Sequence, residues 1–280
     1  FPAQIIQRQL TRIENDDTGL PVKLYRDSDG KVKHQIIAKE KSKVINKFPF
    51  PKDSKDKEGD IVVWDFPKES QQFGVYYAGV DPVVEGRSDS SDSLFSIYIY
   101  KAVTYKENAQ IGEDGKIKGT STLEGDYIAA CWTGRFDDIN KTNERAELLV
   151  EWFNALTVCE NNVTSFIQHM IKNKKQRYLA RKDDLPFLKE IQANRSVYQE
   201  YGVKMTSVVK TFILSNMIEY IKEEIGVVHK NDGTELRKRL GVERIPDKML
   251  LTEMLAYHDK LNVDRIISFG IVLALVKSRE

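Results

Sequence analysis

The stretch Gly74–Ser93, GVYYAGVDPVVEGRSDSSDS, constrains the fold more than any other part of the chain. Val75 to Val80 is an unbroken apolar run, as expected of a strand covered on both faces. It ends on Asp81, and Pro82 then holds that residue extended and stops the ladder of hydrogen bonds. A carboxylate is therefore delivered to the lip of a buried sheet. A Gly/Ser loop carrying Glu85, Asp89 and Asp92 follows, and then a second strand, Leu94–Tyr100. Acids at a strand end beside a tight connection suit a hard cation, which prefers oxygen ligands. Each acid taken singly is also an ordinary turn or loop residue.

Residues 1–72 read as polar and irregular, with Leu20–Tyr25 and Lys31–Ala38 flanking a hairpin turn at Asp29-Gly30. Asp60–Phe66 is a further short strand, stopped by Pro67. Residues 1–70 are thus expected to form a small β-rich appendage or linker, and residues 71–280 the main domain. With 280 residues and 41% apolar content, the chain can bury one sizeable core.

In the main domain, glycines among polar residues between 101 and 126 predict a long hairpin excursion, followed by a third strand at Tyr127–Thr133. The period then changes. Asn143–Leu156 places Ala146, Leu149, Val150 and Phe153 on one helical face. Thr157–Glu160 is a short apolar strand that again ends in an acid, and Asn162 is a candidate cap for the helix after it. A strand–helix–strand crossover gives a parallel neighbour, so the sheet is expected to be mixed: an antiparallel meander plus parallel strands, flanked by helices. Tyr178–Ala180 is a candidate fifth strand. Further helices are expected at about Thr206–Ile225, Asp247–His258 and Val263–Ser278, with a charged loop between the first two and Asn262 as a cap for the last.

Asp81 and Glu160 would leave adjacent parallel strands at the same edge, and Asp264 begins a helix that must pack on that sheet. At ~5 Å and an effective dielectric of ~20, each like-charged pair repels by ~3 kcal/mol, so the cluster needs protons or cations. The bland readings stand beside this one: Asp81 and Glu160 as turn acids, and Asp264 as a helix N-terminal acid favoured by the macrodipole. Residues 172–182, KNKKQRYLARK, contain six cations and no acid, which suits either phosphate contact or a solvated helix end.

The pieces IVVWDFP, YYAGVDPVVEGRSDSSDSLFSIY, WTGR at Trp132–Arg135, VCENN at Val158–Asn162 and LLTEMLAYHDKLNVDRIISFGIVLAL from Leu250 to Leu275 resemble, in order and spacing, the C-terminal nuclease domain of the large terminase subunit of tailed bacteriophages. That family belongs to the ribonuclease H-like superfamily, and the likeness covers about residues 60–280. It implies an α/β fold with a ribonuclease H-like mixed central sheet, and a metal-dependent endonuclease that cuts double-stranded viral DNA during packaging in the host cytoplasm. It also implies Asp81, Glu160 and Asp264 as metal-binding and catalytic carboxylates and Asp92 as a further acid near the first metal. Mg²⁺ or Mn²⁺, as two ions, would be the cofactor. Lys174, Lys175, Arg177 and Arg181 would meet DNA phosphates. Lys210 resembles a family lysine near the site, and is otherwise a snorkelling surface lysine. A terminase ATPase domain, a portal and a small terminase subunit are the implied partners.

The rest of the sequence narrows the alternatives. No GxxxxGK[ST] loop occurs, so the ATPase half is not expected here. Arg135, after a strand end, is read as pairing with Asp137 or Asp138 or as touching DNA. The four histidines lack ligand spacing, and Cys131 and Cys159 read as buried core residues. No apolar run approaches a membrane span. The absent initiating Met is compatible with a piece of a longer protein. A formal charge of +1 advertises no nucleic-acid partner globally. A junction resolvase or recombinase of the same fold, and a non-catalytic DNA- or protein-docking module, stay open.

Overall fold

The computed structural model describes the chain except residues 15–17, 52–53, 55–56, 87–92, 112–116, 186–199, 231, 260 and 280, and gives the backbone alone for 105–111 and 117–123. Its centre is a seven-stranded mixed sheet. In chain order the strands are β1 (Leu20–Arg26), β2 (Val32–Ile36), β3 (Ile61–Val63), β4 (Tyr76–Asp81), β5 (Phe95–Lys101), β8 (Tyr127–Gly134) and β9 (Leu156–Cys159). They lie side by side as β2-β1-β3-β8-β5-β4-β9. Strands β4, β5 and β8 form the expected antiparallel meander, and β9 adds to β4 in parallel. A mixed sheet of this order, flanked by helices, is consistent with a ribonuclease H-like fold.

The excursion between β5 and β8 is a separate hairpin of β6 (Thr104–Ile111) and β7 (Ile117–Glu124). The β-rich N-terminal region continues the central sheet, because β3 hydrogen-bonds antiparallel to β8 through Val62 and Val63. The reading of residues 1–72 as irregular fails at one point: Ala3–Ile13 is helix α1, with Ile6, Gln9 and Ile13 buried. Its stripe is broken in the sequence by Gln9, whose side-chain amide donates to the Ile245 carbonyl at 2.9 Å.

Two layers of helices cover the sheet. On one face lie α2 (Ile139–Phe153) and α3 (Ser165–Lys172). Asp138 caps α2 by accepting from the Asn140 N–H, and Asn154 ends it in the left-handed region. Asn162 does not cap α3. Its amide instead exchanges hydrogen bonds with the backbone of Met205, donating to O and accepting from N at 3.1 Å each. On the other face lie α4 (Ser207–Lys222), α5 (Lys248–Ala256) and α6 (Asp264–Lys277). Every residue of α6 from Arg265 to Val276 is buried, so this helix is an interior element rather than a one-sided cover. It reaches the sheet over Gly79, where a β-carbon would collide with the Ser268 carbonyl oxygen.

The charged segment expected as a loop after α4 is a hairpin of β10 (Glu224–His229) and β11 (Glu235–Leu240), mostly exposed. Strand Tyr178–Ala180 is reduced to a short 3₁₀ turn, Gln176–Tyr178, and one parallel bridge between Leu179 and Thr157.

Candidate active site

Strand parity aims the acids. In β4, Tyr76, Ala78 and Val80 pack against α2 and α3, so Tyr77, Gly79 and Asp81 face α6. In β9, Leu156 and Val158 lie on the α6 side and Cys159 on the other, which turns Glu160 toward α6 as well. Register then brings them together. Val80 is opposite Cys159, and the Glu160 N–H donates to the Val80 carbonyl at 2.9 Å. Glu160 is held from its other side by a parallel bridge to Val203, where the Val203 N–H donates to Cys159 at 2.8 Å.

Asp264 is the first residue of α6. One of its oxygens accepts from the Leu94 N–H at 2.8 Å and from the Asn262 amide at 3.0 Å; the other accepts from Ser93 at 3.2 Å. Asn262 thus steadies the carboxylate rather than capping the helix, whose N-cap is Val263. The loop after β4 therefore returns to the acid at the head of α6. Arg135, 3% exposed, braces that loop from beneath. It donates to the Glu85, Gly86 and Ser93 carbonyls at 3.2, 2.7 and 3.0 Å, and the Glu85 carboxylate lies 3.8 Å away. Its observed work is structural, and its partners come from the loop rather than from Asp137 or Asp138. Asp89 and Asp92 lie outside the described residues.

The charge of Asp264 acts on both Asp81 and Glu160, and that of Glu160 acts on Asp81. Burial lifts Asp81 well above the carboxylate range, and the charges of Asp264, Glu160 and Glu253 lift it further, with Glu160 sharing a hydrogen bond. Burial and the Asp264 charge raise Glu160 to about 7, against the pull of Lys210. Burial raises Asp264 to about 6 although its three donors favour the anion. The hydrogen bond shared by Asp81 and Glu160 raises the Asp81 carboxyl and lowers that of Glu160, which favours the proton on Asp81. Each carboxylate keeps free lone pairs beyond these bonds.

A fourth acid escaped the sequence reading. Glu253 of α5 is 1% exposed and accepts from the Ile266 N–H at 3.1 Å, while Arg265 lies 3.7 Å away. Burial pushes its carboxyl to about 8. Arg265, also buried, donates to the Ile45 carbonyl at 3.1 Å. Together they pin the first turn of α6, and with it Asp264. A glutamate in an amphipathic helix looks solvated in the sequence; the only hint was its place on a face shared with Leu250 and Met254.

The basic candidates divide. Lys210 is half-buried at the start of α4, 5.7 Å from the Tyr257 ring centre, and is the cation acting on Glu160. Lys174 is exposed in the left-handed region. Lys175 is ion-paired to Glu151, the same acid that binds Arg26 at 2.8 Å, which gives it a structural employment. Arg177 lies 4.4 Å from the Tyr178 ring centre and is exposed. Arg181 is exposed, 3.8 Å from Glu200.

The donor set, all carboxylate oxygen in a partly buried niche, suits a hard divalent cation by its chemistry. Among the described residues no three His, Cys, Asp or Glu side chains are already gathered into a metal-holding group. No helix among the described residues is long and apolar enough to cross a membrane.

No family model and no curated protein matches the chain. Among solved structures it is similar to the large terminase nuclease from thermophilic phage G20c, at 10% identity and a TM-score of 0.32, over 78% of this chain and 89% of that one.

Proposed function

We propose that the chain is a metal-dependent endonuclease acting on double-stranded DNA, and that it is the nuclease part of a phage packaging terminase working in the host cytoplasm. The observation that supports the chemistry is the electrostatic coupling of Asp81, Glu160 and Asp264: burial raises all three, and the Asp264 charge raises the other two further. The packaging role rests on the sequence resemblance set out above. The implied partners, an ATPase domain, a portal and a small terminase subunit, follow from the same resemblance.

Asp81, Glu160 and Asp264 would hold Mg²⁺ or Mn²⁺, with Asp92 as a further ligand. When bound, such ions supply an acidified water and stabilise charge at phosphorus. Lys210 would orient Glu160 and offset charge on a neighbouring phosphate. Lys174, Arg177 and Arg181 would hold backbone phosphates without reading bases. The Ser93, Leu94 and Asn262 donors keep Asp264 ionisable at the head of its helix.

Plasmid digestion with Mn²⁺ or Mg²⁺ tests the reading. Cleavage should vanish in chelator and in Asp81→Ala; cleavage that survives either sinks the mechanism. Preference for branched DNA or RNA–DNA hybrids would shift the assignment to a resolvase-like enzyme. A second reading, a docking module with structural acids, is favoured by the hydrogen bonds already made by both oxygens of Asp264. Calorimetry showing no divalent binding would select it.

A further inference from the structure

A second charged site lies away from the acids. Helix α1 and the β10–β11 hairpin flank a groove of about 460 Å³, lined among others by Ile5, Arg8, Arg12, Arg237 and Glu243. Glu243 is nearly buried and takes both guanidinium nitrogens of Arg237 at 2.6 and 3.1 Å. One bidentate fork satisfies one carboxylate. Yet Arg239 stands 3.6 Å and Arg12 4.0 Å from the same group. Arg8, exposed on the same side of α1, has no acid partner among the described residues. Of the hairpin's other acids, Glu224 and Glu235 act on Lys238, with Glu224 pairing at 2.7 Å, and Asp232 in the turn accepts from Thr234. Three arginines thus surround one carboxylate, and a fourth, Arg8, lines the same groove. Arg12 is also held by the Gln9 side-chain oxygen at 2.8 Å and the Glu243 carbonyl at 3.1 Å, so the charge left over lies chiefly on Arg239 and Arg8.

The spacing fits an extended polyanion. Arg8 and Arg12 are ~6 Å apart along one helix face, and Arg237 and Arg239 ~7 Å apart on one strand face. Planar forks carried at that backbone repeat suit successive phosphates of a nucleic-acid strand once they turn from Glu243. Side-chain contacts link the start of α1 to the candidate active site. Phe1, just before α1, packs edge-on against Tyr257 at 5.7 Å, and Tyr257 carries Lys210, the cation beside Glu160. From there α1 runs for ~16 Å.

We infer that this groove binds the phosphate backbone of nucleic acid without reading its bases, as a track leading from the acids over Arg8 and Arg12 to Arg237 and Arg239. The inference rests on the nuclease reading for the identity of the polyanion. Its test is the anisotropy of a fluorescein-labelled 30-base-pair duplex, titrated with the full chain in chelator over a range of salt. The double variant Arg8→Gln/Arg239→Gln should bind about tenfold or more weakly at 0.1 M salt, with a log K against log salt slope shallower by ~2. Glu243→Gln should shift affinity the other way, by freeing the arginines. Urea unfolding of each variant reports its folding. An unchanged slope in a folded double variant overturns the inference, as does a wild-type chain that binds poly-glutamate as tightly as the duplex, or binds no duplex. Plasmid cleavage in Mn²⁺ is read separately. Arginine-dependent binding without cleavage supports the track and sinks the nuclease; cleavage with arginine-independent binding does the reverse.

Discussion

Bringing three acids together at a sheet edge should make the metal-free protein unusually weak at neutral and alkaline pH. In the unfolded chain each carboxyl titrates in its ordinary range; in the folded chain Glu160 moves from 4.5 to about 7 and Asp264 from 3.8 to about 6, with Asp81 well above both ordinary values. An acid whose folded pKa is raised binds its proton more tightly when folded. Its contribution is therefore whole below pH ~4 and is lost as pH climbs through 6 to 7. The shift of Glu160 alone corresponds to ~3 kcal/mol, and the coupled set to about 3–5 kcal/mol. That is a large part of a typical stability of ~5–15 kcal/mol. Glu147, lowered to about 2 mainly by its bonds to His169 and Asn173 against the cost of burial, acts oppositely but only below pH ~4.5, so the windows do not overlap. Asp81→Asn mimics the protonated donor to Glu160 while deleting one charge. Urea unfolding in chelator at pH 5, 6, 7 and 8 should show the wild type losing several kcal/mol, and the variant more stable by ~2 kcal/mol at pH 8. Saturating Mg²⁺, at about 100 times its dissociation constant, should restore ~2.7 kcal/mol to the wild type. A wild-type stability that is flat or rising from pH 5 to 8, or a variant no more stable at pH 8, would refute the reasoning.

Three further outcomes follow from contacts described above. Gly79→Ala should cost ~3 kcal/mol, because α6 must move off β4 to admit a methyl group; an unchanged urea midpoint would contradict that packing. Glu253→Ala should cost ~3 kcal/mol by leaving Arg265 buried beside an empty space, whereas Glu253→Gln, which keeps an acceptor for the Ile266 N–H, should cost less; equal losses would mean the hydrogen bond is immaterial. Lys210→Met should raise the Glu160 titration above about 7, seen by NMR of the carboxyl carbon, and should depress cleavage more at pH 7 than at pH 9; a titration left unmoved would dissociate this lysine from the site.

How much could be read from the sequence depended on whether a signal was local. The Val75–Val80 run with Pro82 behind Asp81 carries its own strand and its own end, so β4 and the position of the acid were legible. The switch of period after residue 143 foretold the crossover, and the crossover dictated that β9 lies parallel to β4, which brought Glu160 to the same edge. Signals spread over distant residues were not legible. Gln9 looks like a break in α1 until Ile245 supplies its acceptor. The β10–β11 hairpin has charged residues on both faces and no alternation to betray it, although Asp232-Gly233 is a turn pair. Glu253 looks like a solvent residue because nothing nearby in sequence announces Arg265 as its partner. The bridge from Val203 to Glu160 joins residues separated by an entire helix and loop.

The β6–β7 hairpin bears on how such a protein can vary. It leaves β5 at Lys101 and returns to β8 at Tyr127, and those two residues are already paired across the ladder. The Asp126 N–H also donates to the Lys101 carbonyl at 2.7 Å, closing the doorway through which the excursion passes. Length can therefore be added or removed beyond that doorway without disturbing the register that aligns Asp81 with Glu160. A shortened chain, with residues 105–123 replaced by a turn that keeps the Lys101–Glu124 ion pair, should leave its acids undisturbed. The same gate offers a port where a foreign loop or sensor domain can be grafted onto the scaffold.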